Sequence, residues 1–104
     1  MEVNAKCRLT GYTPLHEALL GGNNEIVKLL MDHGASIAIQ DDIDGNTALH
    51  LACSQNNVSV VRIMLENREA KKCLILVNAK GQTPRQLCTS KFVRTIVEGI
   101  VLLY

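Results

Sequence analysis

A four-residue motif recurs along this chain at a nearly constant interval. Thr13-Pro14-Leu15-His16 returns thirty-four residues later as Thr47-Ala48-Leu49-His50, and a fainter copy starts at Thr83. A glycine precedes each threonine by two positions, at Gly11, Gly45 and Gly81. Self-similarity at a period of about 20–50 residues is typical of solenoids, in which each unit packs only on its neighbours. Such a stack presents a long open surface, which favours binding of partners over catalysis.

The residues around the motif resemble the ankyrin repeat. Residues 11–18 are followed by Gly22, by the largely apolar run at residues 26–30 and by Gly34, and the second unit follows a similar pattern from Gly45. Tandem copies in phase cover almost the whole chain. The resemblance implies an all-α fold, an ankyrin-repeat solenoid of stacked antiparallel helix pairs with β-hairpin-like finger loops.

The resemblance divides the chain into about two full repeats and a degenerate C-terminal capping repeat. Residues 1–10 are expected to be the tail of a preceding finger, and residues 11–44 repeat one. Residues 45–80 are repeat two with a longer finger loop, and residues 81–104 the capping repeat. That last unit has Gln86-Leu87-Cys88 where the family pattern has Leu-His-x-Ala, and terminal units are often atypical. Because the chain opens on what resembles a finger, we expect it to belong to a longer array.

Local signals predict where the helices begin and end. Thr13 suits an N-cap, and Pro14 suits the first helical position, where its missing N–H costs nothing. Gly34 suits the position just after the second helix, because glycine adopts left-handed backbone freely. Asn56 stands where the family has a turn glycine, and asparagine tolerates the same backbone at modest cost.

An amphipathic helix is predicted near the C-terminus. Five apolar residues stand at helical spacing and form a stripe: Phe92, Val93, Ile96, Val97 and Ile100. Half of this stripe is expected to cap repeat two. The apolar tail at residues 101–104 has no evident cover. Either it folds back, or it docks on further sequence, which we favour, or it contacts a partner or a second copy. The isolated domain is expected to be monomeric unless this tail self-associates.

Composition narrows the classes of partner and the location. The formal net charge is +1 and the aromatic residues are two tyrosines and one phenylalanine. The chain therefore lacks the basic stripe and stacking residues of nucleic-acid binders, and no direct nucleic-acid contact is expected. Its four cysteines form no C-x-x-C pair, which is typical of a reducing compartment. No signal peptide and no membrane-spanning run is evident, so we predict an intracellular protein, nuclear or cytoplasmic, with no membrane contact.

No pattern in the sequence points to catalysis, to a metal or to a cofactor. His16 and His50 are predicted to be structural, bonded to backbone or to a threonine hydroxyl of the adjacent unit. Cys53 and Cys88 fall where the family has small buried residues, which predicts inert thiols. A phosphate-binding glycine loop is absent, and the aspartates near the second motif lack calcium-loop spacing: Asp41, Asp42, Asp44. We therefore expect a domain that is not an enzyme.

The resemblance implies that partners contact the finger tips and the exposed side of each first helix. Tyr12 is an amphipathic aromatic of the type found at binding hot spots. Ile43 is an apolar residue between acidic neighbours, in a cluster that is either a solvated turn or an acidic patch for a basic or mixed peptide. The predicted contact residues are Thr10, Tyr12, Glu17, Leu20, Asp41, Ile43, Asp44, Asn46, Leu51, Ser54, Gln55, Lys80 and Gln82, with Leu9, Gly21, Thr89 and Ser90 beside them.

Three functions follow from these features. The first is a protein–protein interaction module that binds a peptide or a folded partner through the finger tips and the concave first-helix face. The second is a structural spacer or capping segment of a longer array. The third is a reader of a basic, histone-like tail at the acidic finger. The connection at residues 68–76 carries Arg68, Lys71 and Lys72, and is predicted to be a basic protrusion opposite the acidic fingers.

Overall fold

The computed structural model describes residues 2–103, and for residues 100–103 it describes the course of the last helix but not the side chains. The described chain is helical, with no β-strand between residues 2 and 103. Its elements are α1 (Pro14–Leu20), α2 (Asn24–Asp32), α3 (Ala48–Ser54), α4 (Val58–Leu65), α5 (Ala70–Cys73), α6 (Pro84–Leu87) and α7 (Lys91–Leu103). This confirms the all-α prediction. The fingers are loops with hairpin-type backbone bonds.

The helices form two rows. α1 pairs with α2, α3 with α4 and α6 with α7, and α3 also contacts both α1 and α6. In the second row α4 contacts both α2 and α7. Each pair lies within one of the predicted segments 11–44, 45–80 and 81–104, whose boundaries stay a prediction. The result is a stack in which repeat two lies between its neighbours.

The repeated threonine begins α1 and α3 as predicted. The Oγ1 of Thr13 accepts the backbone N–H of His16 at 3.3 Å, and Pro14 occupies the first turn. Thr47 does the same for His50 at 3.2 Å. These side chains satisfy N–H groups that a helix start leaves without an intrahelical partner. The third helix of this row, α6, is only four residues long, as expected of a degenerate unit.

Left-handed residues end the helices at the predicted places. Gly34 has a φ of +87°, and its N–H donates to the Met31 carbonyl at 3.1 Å. Ala35 completes this helix end by donating its N–H to the Leu30 carbonyl at 3.0 Å. Asn56 has a φ of +53°, which confirms that asparagine takes over the glycine turn in repeat two.

The side chain of Asn56 also joins repeat two to the capping repeat. Its Nδ2 donates to Thr89 Oγ1 at 2.6 Å, and its Oδ1 accepts the N–H of Ser90 at 2.8 Å. Both partners lie just before α7. A glycine would keep the turn but lose both hydrogen bonds, which explains why an asparagine is useful here.

We expect Asn56→Gly to lower the free energy of unfolding by about 1 kcal/mol, even though glycine fits a positive φ better. The loss comes from the two hydrogen bonds to residues 89 and 90. Urea unfolding followed by circular dichroism measures it. An unchanged or higher stability would mean that backbone preference outweighs the bridge.

The core runs through the middle of the stack. Leu15, Leu49 and Val60 have no exposed surface. On α7, Val93 and Val97 are fully buried while Phe92 is 58% exposed under the guanidinium of Arg62. Half of the amphipathic stripe therefore caps repeat two, as predicted. The predicted fate of the apolar tail lies outside the described side chains, which end at residue 99.

The long connection after α4 packs on the stack and does not protrude as predicted, although its basic residues Arg68, Lys71 and Lys72 are exposed. Its residues form α5, and Ala70 and Cys73 on that helix are 3% and 0% exposed. Glu69 accepts the hydroxyl of Ser36 at 3.0 Å and the backbone N–H of Ile37 at 3.1 Å. The extra residues of repeat two are thus a helical turn packed on the preceding finger, because buried small side chains and the Glu69 bonds hold them there.

Candidate partner-binding surface

Three finger tips line up along one edge of the stack, and each is closed by a backbone hydrogen bond. Cys7 donates to the Tyr12 carbonyl at 2.8 Å, and Asp41 donates to the Asn46 carbonyl at 3.0 Å. The third tip is one residue shorter, since Asn78 donates to the Gln82 carbonyl at 2.9 Å. The first tip repeats the second at the motif's own interval of thirty-four residues.

The tips are bonded to one another through their backbones. The N–H of Asp42 donates to the Thr10 carbonyl at 2.9 Å, and the N–H of Ala79 donates to the Asp44 carbonyl at 2.9 Å. Loops joined in this way have fewer alternative conformations than free loops. The row of tips is therefore more rigid than a row of separate loops would be.

Two buried histidines position the bases of the fingers. His16 accepts the Thr13 backbone N–H at Nδ1 (3.2 Å), so its Nε2–H donates to the Asn46 carbonyl of the next unit at 2.9 Å. His50 makes the same bonds to Thr47 (3.1 Å) and to the Gln82 carbonyl (2.8 Å). Burial lowers the pKa of His50. This confirms a structural role through backbone bonds. The predicted threonine of the adjacent unit was wrong, because each histidine bonds the threonine of its own unit and reaches the next unit through a backbone carbonyl.

Asp41 lies inside its finger and not on the predicted acidic surface. It is 5% exposed, and its Oδ1 accepts the N–H groups of Ile43 (2.9 Å) and Asp44 (2.7 Å). Its Oδ2 accepts the N–H of Asn46 at 3.1 Å. Asn78 has the matching role in the third finger, where its Oδ1 accepts two backbone N–H groups. Asp41 shapes the tip, because its carboxylate satisfies donors that the turn leaves free.

The remaining acidic groups of the surface differ in their pairing. Asp42 is exposed but forms an ion pair with Lys6 at 3.1 Å. Among the described residues, the carboxylates of Asp44 and Glu17 have neither a hydrogen bond nor an ion pair, and both residues are exposed. The acidic patch is therefore smaller than the sequence suggested.

A groove of about 440 Å³ lies between the second and third fingers. Six of the predicted contact residues line it: Ile43, Asp44, Asn46, Ser54, Lys80 and Gln82. Three further residues, Asn78, Ala79 and Leu87, complete the lining and were not predicted. Asn78 and Ala79 lie in the finger that is one residue shorter, and Leu87 corresponds to the predicted Leu51 thirty-six residues before it. Asp44 and Lys80 bring opposite charges to the same groove.

The predicted residues of repeat one continue this surface in register. Leu9 is 90% exposed at the first tip, thirty-four residues before Ile43, and Leu20 is 50% exposed, thirty-four before Ser54. Tyr12 is half-buried, with its ring stacked on His16 at 5.8 Å between centroids. This end of the surface is thus more apolar than the groove.

The other predicted residues have distinct environments. Thr10 is half-buried and holds the neighbouring finger through its carbonyl. Leu51 is half-buried on α3. Gln55 is exposed, but its amide donates to the Leu19 carbonyl at 2.8 Å, so it also joins the two repeats.

The cysteines offer little chemistry. Cys53 and Cys88 are 0% and 1% exposed, and burial raises the pKa of both thiols. Burial also raises the pKa of Cys73 to about 12. Since the thiolate is the reactive form, these three side chains act as small apolar residues. Cys7 is exposed, and hydrogen bonds, chiefly from the Thr10 side chain, lower its pKa.

The described part of the chain has neither a cluster of metal-binding side chains nor a membrane-spanning helix. Between residues 2 and 103 no three histidine, cysteine or acidic side chains gather in a way that suits a metal ion. In the same range no helix has both the length and the apolar character needed to cross a bilayer.

Comparison with known proteins gives a consistent match. The family model described as "Ankyrin repeats (3 copies)" matches residues 1–75 and 37–100. Among solved structures, the ankyrin repeat domain of Bcl-3, a member of the IkappaB protein family, superposes with a TM-score of 0.83 at 26% identity. That match covers 95% of this chain and 42% of the Bcl-3 chain.

Several curated proteins resemble this chain over part of their length. Transient receptor potential cation channel subfamily A member 1 of Drosophila melanogaster is 37% identical over 84 residues, which are 79% of this chain and 7% of the channel. Human diacylglycerol kinase iota is 39% identical over 69% of this chain and 7% of the kinase. Mouse protein phosphatase 1 regulatory subunit 27 is 37% identical over 80% of this chain and 51% of that subunit.

Proposed function

Because this chain belongs to the ankyrin-repeat family, a general protein–protein interaction fold, we propose that it binds an extended segment of a protein partner along its finger tips and concave helix row. The observation that carries the proposal is the groove between the second and third fingers. It gathers side chains from α3, α6 and both fingers around about 440 Å³. Its continuation at Leu9 and Leu20 gives one surface with an apolar end and a polar end.

The chemistry of the partner follows from the difference between the apolar end and the polar end of this surface. The exposed side chains of Leu9 and Leu20 favour apolar residues at one end of the ligand, and Ile43 adds an apolar contact within the groove. Asp44 and Lys80 favour a basic and an acidic residue at the other end, because unpaired charges on a rim select complementary charges. A mixed segment satisfies both ends. A purely basic, histone-like tail is less well supported, since Asp41 is buried and Asp42 is paired with Lys6.

We place the chain inside the cell, in the nucleus or the cytoplasm, and its free thiols support this. A scaffold or regulatory role is supported by the name of one relative, a regulatory subunit of protein phosphatase 1.

A display library of random extended peptides tests the binding proposal while the natural partner is still unidentified. Peptides enriched on the native chain are measured against variants by fluorescence anisotropy. We expect Ile43→Asp to weaken them at least tenfold, because Ile43 is 56% exposed and lines the groove. Asp44→Lys should weaken peptides that carry a basic residue.

The matched control is Lys28→Glu on the exposed part of α2, which should leave affinity unchanged. Thermal unfolding should be similar for all variants. Tyr12 is avoided as a test position, since its ring stacks on His16 and its loss would also disturb the fold. Unchanged affinity in both groove variants would remove this surface assignment. Failure to enrich any peptide would favour the spacer function, and binding confined to polybasic peptides with steep salt dependence would favour the basic-tail reader.

A further inference from the structure

The side chain of Asn78 has only one possible orientation in the groove between the second and third fingers. It is 9% exposed, and its Oδ1 accepts the backbone N–H groups of Lys80 and Gln82, each at 3.0 Å. Because a backbone N–H can only donate, the atom that faces these two groups has to be the oxygen. The nitrogen of the Asn78 amide is therefore the atom left for other partners.

That nitrogen determines the orientation of two further amides in the same groove. Asn78 Nδ2 donates to Asn46 Oδ1 at 3.0 Å and to Gln82 Oε1 at 3.2 Å. Since an amide NH₂ group has two hydrogens and accepts none, both atoms that face it have to be oxygens. The NH₂ groups of Asn46 and Gln82 are thus turned away from Asn78. Within residues 2–103 neither of these NH₂ groups donates to an acceptor.

The backbones that carry these two amides are held by the repeated histidines. Asn46 and Gln82 each stand directly before the threonine of their unit, and their carbonyls accept the bonds from His16 at 2.9 Å and from His50 at 2.8 Å. Lys80 lines the same groove, and among the described residues its ammonium group has neither an ion pair nor a hydrogen bond. The groove therefore combines two oriented amide donors with one unpaired cation.

A carboxylate suits this donor set better than a neutral group does. It only accepts hydrogen bonds, and bonds to an ionised acceptor are roughly twice as strong as bonds between neutral groups. Lys80 alone would attract any nearby negative charge, whereas the amides of Asn46 and Gln82 give one carboxylate a defined place. Asp44 on the same groove then favours a basic residue next to the acidic one in the bound segment.

We propose that the groove binds the carboxylate of one aspartate or glutamate side chain of the partner, through the NH₂ groups of Asn46 and Gln82 and the ammonium group of Lys80. Asn78 is the positioning residue, because it turns both amide donors outward. The inference rests on the proposed function and names the residue that the polar end of the surface selects.

Peptides enriched on the native chain test the inference when each acidic residue is replaced in turn by its amide. The peptides are synthesised with an amidated C-terminus, so that a terminal carboxylate is not the ligand. At one position we expect the amide to weaken binding about tenfold or more, because hydrogen bonds to a charged group are the stronger ones. Lys80→Met should reduce this preference to about threefold or less. Lys72→Met, which removes the same charge from the exposed side of α5, should leave it unchanged.

Asn78→Asp tests the positioning role. An aspartate fits this turn, since the carboxylate of Asp41 accepts the corresponding backbone N–H groups in the second finger. Its second oxygen should accept the NH₂ groups of Asn46 and Gln82 and turn them inward. In the native chain their side-chain ¹⁵N–¹H signals should shift at saturating peptide, and in this variant they should not. Ala79→Asp is the matched control, because it adds the same charge to an exposed residue of the groove and leaves Asn78 in place.

The outcomes separate this inference from the proposed function. Equal binding of acidic peptides and their amides, or enriched peptides without any acidic residue, would overturn the carboxylate site and leave the groove a binding surface. An acid preference that Lys80→Met does not reduce would also overturn it. Failure to enrich any peptide would remove the proposed function and this inference together. If Asn78→Asp does not fold, the Lys80→Met comparison and the side-chain signals of the native chain still decide the matter.

Discussion

Replacing His50 by alanine is expected to lower the free energy of unfolding by about 3 kcal/mol or more. The imidazole is fully buried and bonds the Thr47 N–H and the Gln82 carbonyl. Alanine leaves both groups buried without their partner and opens a cavity between repeat two and the capping repeat. In a domain of this size the midpoint of thermal unfolding should fall by about 12 °C or more.

His33→Ala is the control for this prediction. His33 is exposed at the end of α2, where its Nδ1 bonds only the Leu29 carbonyl at 2.8 Å. Its loss should cost about 0.5 kcal/mol or less. Equal losses of stability in the two variants would contradict a special role for the repeated motif's histidine.

The burial of His50 also makes the stability of the fold depend on pH. Because burial lowers the pKa of His50, the folded state keeps the ring neutral while the unfolded chain protonates near its ordinary value of about 6.5. The stability contribution is present above about pH 6.5 and is lost as pH falls through the lowered folded pKa. His50→Ala should therefore flatten the acid side of the stability curve.

Gly11→Ala is expected to be the second most damaging change, at about 3 kcal/mol. Gly11 has a φ of +74°, and a Cβ there would lie 2.6 Å from the backbone nitrogen of Asp42. That nitrogen donates the hydrogen bond that joins the first finger to the second. The finger row has to separate to admit the methyl group, which adds to the cost of left-handed backbone in alanine.

Gly81→Ala separates the cost of a left-handed backbone in alanine from the cost of the contact with the second finger. Gly81 also has a φ of +74°, but a Cβ there would meet nothing within 4 Å. Its cost should be about 1 kcal/mol, from the backbone alone. Urea unfolding of both variants gives the difference, and equal values would mean that contact between fingers adds little to stability.

The sequence predicted the parts of the fold that depend on local chemistry. Thr13 and Pro14 indicated a helix start, and Gly34 and Asn56 indicated left-handed helix ends, because caps and turns are decided within a few residues. The interval of thirty-four residues predicted which helices stack.

Two features were not predicted, one inside a finger and one across the stack. Asp41 resembled a surface acid, yet the turn folds around its carboxylate. Its equivalence to Asn78, an Asx residue at the same point of the next finger, was the one signal for this role. The third finger is one residue shorter, however, so Asn78 lies thirty-seven residues after Asp41 and not thirty-six, the interval between Thr47 and Thr83. The bonds of Asn56 to Thr89 and Ser90 join segments more than thirty residues apart, so no local pattern indicates them.

We propose that one open face, formed by the finger tips and the first-helix row, receives a protein segment. The most direct test is the ¹⁵N–¹H spectrum of the native chain during titration with a peptide enriched from the display library. We predict shifts concentrated at Leu9, Leu20, Ile43, Asp44, Ser54, Lys80 and Gln82, and little change at Lys28 or Arg62. A footprint centred on Lys28 and Arg62, with the fingers unchanged, would contradict the claim.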